Sequence, residues 1–328
     1  MADLRRSARS DGDDDRGQLL LVTGLAIAFA IVAIVLLLNT AIYTQNLASR
    51  NPSPGADDAL QYRQEVVDGT GGIVDHENFE EYAYSDESDL RTDVRNGVDH
   101  LATQLTRQHA ERGTSTSVSS VTLSEGDLVR QTDLNRDFTG AASNGNPEDW
   151  DVAITATDAR AFEMTVKDDR LESASVGSFG DAFRVQVSDG TDRWQMFVYE
   201  DGGDITVAVK NDTSAAVEAC RTSDDEATIS LSKGTLDGSN CPKLEWAKGV
   251  STPYTVGYEN GHNAEGAYEF VVRDGGFLGF NPNLNDGPGS SSPYRVPAVY
   301  SVQMDLGYRT AQVEYEATVT VAPGAHDD

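Results

Sequence analysis

Residues 313–321 decide the fold class, and they read Val-Glu-Tyr-Glu-Ala-Thr-Val-Thr-Val. Apolar side chains alternate with Glu and Thr along this stretch, which is the period-two pattern of a β-strand with one buried face. Strands of this kind are typical of antiparallel sheets with one face against a core and one face in solvent.

The same period recurs through most of the chain after residue 117, in stretches rich in Val, Thr, Tyr and Phe. No helix-sized segment separates these stretches, which favours an antiparallel β-sandwich-like domain over an α/β fold. The predicted strands are 117–123, 151–157, 161–166, 183–187, 194–199, 205–209, 227–231, 254–258, 268–273, 298–306 and 311–321.

Helical periodicity precedes the strands. Leucine and valine side chains at 90, 94, 98, 101 and 105 lie on one face of a predicted helix over 86–112. Ser85 or Ser88 is expected to cap its start, and Gly113 to end it. A shorter amphipathic helix is predicted over 57–67, ended by three glycines at 69, 71 and 72.

Residues 19–38 form an uninterrupted run of 20 residues without a charge. At about 1.5 Å per residue, a helix of this length spans roughly the 30 Å hydrocarbon core of a bilayer. The leader before it carries arginines at 5, 6, 9 and 16, whereas the flank after it carries only Arg50. The positive-inside rule therefore predicts a cytoplasmic N-terminus and an extracellular C-terminal domain.

The chain has 328 residues, with 25 Lys and Arg against 54 Asp and Glu, and a net charge of −29. This balance excludes nucleic acid as an expected partner, because binding to phosphates needs a basic surface. Molar salt shortens the Debye length to about 3 Å and relieves the repulsion between such charges. The composition therefore favours origin in an extreme halophile.

The junction before the apolar run reads Asp13-Asp-Asp-Arg16-Gly17-Gln18-Leu-Leu20. A charged leader followed by Arg16, Gly17, Gln18 and an apolar helix resembles the class III signal of archaeal type IV pilin-like proteins. The resemblance implies that a prepilin peptidase cuts after Gly17 and that the helix then stays in the membrane or packs with other pilin-like subunits. The stretch up to residue 44 also resembles a group of haloarchaeal membrane-anchored proteins of uncharacterised function.

This resemblance covers about a tenth of the chain, residues 10–45. The sequence departs from major haloarchaeal pilins immediately after Gln18, and its exterior is large for a subunit of a repetitive filament. A minor pilin-like or surface protein is therefore a better match than a major filament subunit. A plain, uncleaved signal anchor remains the alternative.

Two further features suit an extracellular domain. Cys220 and Cys241 are the two cysteines, and outside the cell a pair is expected to form a disulfide. Asn211-Asp212-Thr213 is the one N-x-[ST] sequon with a residue other than Pro in the middle, so Asn211 is a candidate for glycosylation.

One segment has the alternating oxygen ligands of a calcium loop: Asp133, Asn135, Asp137 and Thr139. Phe138 occupies the position where the loop needs Gly, and Asn144 the position of the bidentate acid, so a solvated acidic loop is the alternative. No nucleophile elbow, phosphate-binding loop or dinucleotide fingerprint occurs in the sequence. We expect no cofactor and no enzyme activity.

Together these patterns predict a mainly β protein with an N-terminal α region. Its expected parts are a cytoplasmic leader (1–17), a single transmembrane helix (18–43), a helical stalk or segment (44–113) and an extracellular β domain (114–328). The expected function is that of a structural or adhesive cell-surface protein in contact with membrane lipid, with processing after Gly17 as a minor pilin-like subunit. The alternatives are an unprocessed anchored domain that binds a glycan or envelope protein, and an ectoenzyme.

Overall fold

Two helices and a large antiparallel sheet make up the part of the chain that the computed structural model describes: residues 55–79, 84–274, 281–287 and 292–325. The predicted leader and membrane helix, residues 1–43, lie outside it. Neither described helix has an apolar stretch that could cross a bilayer.

The elements follow one another in chain order, helices first. Helix α1 is Ala56–Phe79 and helix α2 is Glu87–Ala110. The strands are β1 Ser115–Gln131, β2 Trp150–Lys167, β3 Phe183–Ser188, β4 Arg193–Asp201, β5 Asp204–Asn211, β6 Ser214–Thr222, β7 Glu226–Ser230, β8 Thr235–Leu236, β9 Ser239–Asn240, β10 Tyr254–Glu259, β11 Gly266–Asp274, β12 Asn285–Asp286, β13 Tyr294–Arg309 and β14 Glu314–Val321.

Helix α2 confirms the predicted helix, but its N-cap is Asp86 and not Ser85 or Ser88. The Asp86 carboxylate accepts the backbone N–H of Ser88 at 2.7 Å. A carboxylate at this position satisfies a free helical N–H and also interacts favourably with the helix dipole, which a serine hydroxyl does less well. Gly113 has φ +77° just beyond the helix, as expected of a terminating glycine.

Helix α1 corrects the prediction that a short helix ends at the glycines. It runs to Phe79 and passes through all three of them. A Cβ on Gly69 would lie 2.7 Å from Leu101 Cδ2, and a Cβ on Gly97 of α2 would lie 2.8 Å from Ile73 Cγ2. Gly69 and Gly97 therefore let the two helices approach closely, and this tertiary packing overrides their low helix propensity.

Each predicted strand overlaps an observed one, and within the described residues 14 strands form one continuous sheet. Its main path runs β12-β13-β1-β11-β2-β10-β3-β4-β5-β6, while β14 pairs with β13 and the series β7-β8-β9 branches from β2. Strand β6 escaped prediction because neither of its faces is buried.

Strand β2 joins two predicted strands into one. Thr155 and Ala161 have φ values of +55° and +52°, and the pairing register of β2 shifts at both places. These are β-bulges, which bend a strand without ending it. The break in the sequence pattern between 157 and 161 therefore marks a bend and not a turn.

The predicted disulfide, Cys220–Cys241, connects the two ends of the branched sheet. Cys220 lies in β6, the last strand of the main path, and Cys241 directly follows β9, the last strand of the branch; their Cα atoms are 5.6 Å apart. Side chains from both routes, such as Phe162, Ile205 and Ile229, share one buried cluster. The sheet thus folds over this large core, consistent with the sandwich-like class.

A second core lies under the helices. One face of α1 carries the buried side chains at 59, 62, 66, 70, 74 and 78, spaced at helical intervals, and packs with α2 on β1, β13 and β14. The segment predicted as 44–113 therefore shares a core with the sheet through both of its described helices.

A buried arginine links this core to the rest of the sheet. Arg160 is fully buried; its Nε donates to Tyr300 O at 2.7 Å, its Nη2 to Val299 O at 2.7 Å and its Nη1 to Pro323 O. Burial lowers the pKa of Arg160 to about 10, so the side chain stays charged at neutral pH.

Helix packing predicts opposite effects for the same substitution at two nearby glycines. Gly69→Leu should lower the free energy of unfolding by about 2 kcal/mol, because the new side chain collides with Leu101. Gly72→Leu should raise it by about 0.5–1 kcal/mol, because Gly72 is exposed, has no atom within 4 Å of its would-be Cβ and lies inside a helix. Denaturant unfolding of the full chain followed by circular dichroism measures both. A similar effect of the two variants would contradict the close helix contact.

The hydrogen bonds of Arg160 predict that lysine cannot replace it. Arg160→Lys should destabilise the chain by about 3 kcal/mol, because an ammonium group cannot reach all three carbonyl oxygens in this geometry. Arg309→Lys is the matched control, since Arg309 is 70% exposed and pairs only across the surface with Glu314 at 3.4 Å. Its effect should stay below about 0.5 kcal/mol. Equal losses in the two variants would refute the anchoring role of Arg160.

Candidate functional site

One row of residues crosses five strands of the sheet. Ser230 of β7 pairs with Glu163 of β2, Glu163 with Glu269 of β11, Glu269 with Arg130 of β1, and Arg130 with Tyr294 of β13. Directly paired residues project from the same face of an antiparallel sheet. The fold therefore aligns two carboxylates, a cation and two hydroxyl side chains.

Two adjoining cavities lie along this row, with volumes of about 320 and 250 Å³, and both are lined by Glu163 and Glu269. We call them together the carboxylate cleft. Its polar walls come from Arg130, Glu163, Thr165, Ser230, Lys233 and Glu269. The C-terminal end of α1, through Asp75 and Phe79, and the segment after β14, through Pro323 and Gly324, close one side.

The surroundings of Glu269 shift its pKa. Burial raises its pKa; Arg130, whose Nε lies 2.9 Å from Glu269 Oε2, opposes that rise, and repulsion from Glu163 adds to it. Arg130 is held in place by a second contact, because its Nη1 donates to Phe79 O at 3.2 Å. The environment of Glu269 thus favours its protonated form more than water does.

Asp75 brings a third carboxyl to the cleft from α1. Burial raises the pKa of Asp75, while Arg160 and Lys233 act in the opposite direction. Asp75 Oδ1 lies 3.7 Å from Arg160 Nη1, so the carboxyl sits above the buried arginine that anchors β2. The charges around the cleft are consequently mixed, although the protein as a whole is strongly anionic.

This arrangement can bind a polar ligand by hydrogen bonds and can exchange a proton at Glu269. Within the described residues, no group of three or more His, Cys, Asp or Glu side chains is arranged to hold a metal ion.

The sequence offered one signal for the cleft: Glu163 and Glu269 occupy polar positions in predicted strands. Their proximity was not predictable, because 105 residues separate them along the chain and only the β2–β11 register brings them together.

The predicted calcium loop is engaged in protein contacts. Asp133 Oδ1 accepts the N–H of Asn135 at 3.0 Å, and Asn135 Oδ1 accepts a hydrogen bond from Lys167 Nζ at 2.6 Å. Asp137 Oδ1 lies 3.8 Å from Arg170 Nη2. Two of the proposed ligands therefore already have cationic partners, which a calcium ion would have to displace.

Thr139, the fourth proposed ligand, is buried, and its backbone oxygen accepts a hydrogen bond from Arg136 Nη1 at 2.7 Å. The remaining predicted sites lie elsewhere. Asn211 is at the turn between β5 and β6. The residues of the proposed processing site, Arg16, Gly17 and Gln18, fall outside the described part of the chain.

The comparisons with known proteins concern the N-terminal third. Residues 13–123 match the model of a family described as "Family of unknown function (DUF7261)". No curated protein and no solved structure matches the chain. The matched region takes in the predicted apolar helix, α1, α2 and the first half of β1. Of the residues that line the carboxylate cleft, it includes Asp75 and Phe79.

The charges beside Glu269 predict that two substitutions shift its pKa in opposite directions. Glu163→Gln should lower the pKa of Glu269 by removing a repulsive charge, and Arg130→Met should raise it by removing the attractive one. Carbon-13 NMR of the labelled glutamate carboxyls, recorded as a function of pH, follows both. Glu314→Gln, at the far end of β13 and β14, should leave the pKa of Glu269 unchanged. Shifts of the same sign in the first two variants would contradict the arrangement.

Proposed function

We propose that this chain is a membrane-anchored cell-surface protein with a structural or adhesive role, whose helix-and-sheet unit lies outside the cell. The observation that carries the proposal is the uncharged run 19–38, preceded by four arginines in the leader. The Cys220–Cys241 disulfide supports it, because disulfides persist in oxidising surroundings. The net charge of −29 suits a protein that works in concentrated salt.

The proposal includes processing after Gly17 as a minor pilin-like subunit. The Arg16-Gly17-Gln18 junction supports this step, since it resembles the signal that prepilin peptidases cut. The packing of α1 and α2 on an antiparallel sheet provides a folded unit that follows the apolar segment in sequence. The apolar helix would then anchor the protein in lipid or pack against other pilin-like subunits.

A second candidate function is favoured by the carboxylate cleft. An anchored domain that is never processed would use this cleft to bind a glycan or a polar group of an envelope protein. Paired carboxylates flanked by arginine, lysine and hydroxyl groups match the hydrogen-bonding needs of a polyhydroxylated ligand. In this case the membrane helix would serve only as a tether.

The two candidates differ at the N-terminus of the native protein. We expect mass spectrometry of membranes and of sheared surface material to find Gln18 as the first residue. Gly17→Val should block this processing, because a β-branched side chain removes the accessible, conformationally free backbone that glycine provides before the cut. Gly24→Val, inside the apolar run, should leave it intact.

A native protein that starts at Met1 or Ala2, with no shorter form, would refute the proposal that the chain is processed as a pilin-like subunit. The second candidate would then be pursued by measuring ligand binding in the Glu163→Gln variant. Digestion of the sheet by protease added to intact cells tests the outward orientation that both candidates share.

A further inference from the structure

The hairpin between β5 and β6 presents the sequon at an exposed turn. Asn211 is the last residue of β5 and pairs with Ser214, the first residue of β6, so Asp212 and Thr213 form a two-residue loop. Asp212, Thr213 and Ser214 are all exposed, and Asn211 is half-buried.

The hydrogen bonds at the turn leave one end of the Asn211 amide available. Its Oδ1 accepts the Thr213 N–H at 3.1 Å, the Thr213 hydroxyl at 3.0 Å and the Ser214 hydroxyl at 2.6 Å. Its Nδ2 donates to no group in the described part of the chain. The carbonyl oxygen thus accepts three hydrogen bonds, while the nitrogen, which is the atom modified in N-glycosylation, is held by none in the described part of the chain.

We propose that Asn211 carries an N-linked glycan, transferred from a lipid-linked saccharide by a membrane-bound transferase. In this step the Asn211 Nδ2 forms a bond to C1 of the sugar, and the bond between C1 and the lipid phosphate oxygen breaks. The phosphate leaves with the electron pair, and the amide proton passes to a base of the transferase. The inference rests on the proposed function, because it requires the sheet to lie outside the cell.

The position of the turn gives the glycan a physical role. Strand β6 pairs only with β5 among the described residues. The Cys220–Cys241 disulfide and a hydrogen bond from Lys243 Nζ to Glu218 O, at 3.3 Å, cover the end of its other edge. The start of that edge, next to the turn, has no strand partner in the described residues and could pair with a second chain. Val217, near the middle of β6, is 40% exposed and adds an apolar group to that edge. A bulky, hydrated glycan on Asn211, next to the start of β6, hinders such association.

The hydrogen bonds around Asn211 also have a purely structural explanation, since Asn side chains often stabilise tight turns in this way. That explanation accounts for the geometry without any modification. The two explanations differ in the mass of the peptide that contains Asn211 and in its dependence on the Thr213 hydroxyl.

The test is mass spectrometry of the full-length protein purified from its native membranes. After reduction, alkylation and trypsin digestion, the sequon lies in the peptide 211–221, between the cleavage sites at Lys210 and Arg221. We expect this peptide to carry a saccharide mass, with fragment ions that place the sugar on Asn211. Thr213→Ser, which keeps the sequon and the hydroxyl, should retain the modification; Thr213→Ala and Asn211→Gln should lose it to background.

An unmodified peptide from the wild-type protein would overturn the inference, as would an unchanged sugar mass in Thr213→Ala. Protease treatment of intact cells in the same experiment separates this failure from that of the proposed function. If the sheet is digested and Asn211 is unmodified, only the glycan is refuted. If the sheet is protected and Asn211 is unmodified, both proposals are refuted.

Discussion

The structure depends on the hydrogen bonds that other elements make to the backbone of a bulge in β13. The pairing of β1 with β13 skips Tyr300, so the backbone groups of Val299 and Tyr300 are not all used within the sheet. Asn78 of α1 exchanges two hydrogen bonds with Val299, at 2.9 and 3.0 Å, and Arg160 of β2 donates to both residues. Buried backbone groups without partners are costly, so these two side chains join helix, sheet and C-terminal segment at one point.

The protein has two cores because one end of the sheet packs against the helices and the rest folds around a larger core. Strands β1 and β13 extend far enough to hold the helices at one end and to continue the main sheet at the other. The matched family region, residues 13–123, includes both helices but neither β13 nor β14, which complete the core beneath them. The helical end of this protein is therefore built from residues near both termini, with the residues between them forming the body around the larger core.

The carboxylate cleft results from the register in which β2 pairs with β11. The bulge at Ala161 places Arg160 opposite Val271 while Glu163 stays opposite Glu269, so the buried cation and the paired carboxylates are three residues apart on one strand. Like charges directly opposite each other in a sheet are unfavourable, and here Arg130 offsets that repulsion at Glu269. The register therefore places two facing carboxylates beside a cavity.

The sequence by itself determined the strand-rich class, helix α2, the cysteine pair and the sequon, because each of these is a local pattern or a residue type. The tertiary structure alone decided that α1 continues through its glycines, that residues 150–167 form one strand, and that Glu163 meets Glu269. The physical reason is that helix contacts, bulges and register are properties of pairs of segments. Gly69 has a low helix propensity, and only its contact with Leu101 of the other helix explains why α1 continues through it. A glutamate in a strand has a paired residue only when a distant segment forms the neighbouring strand.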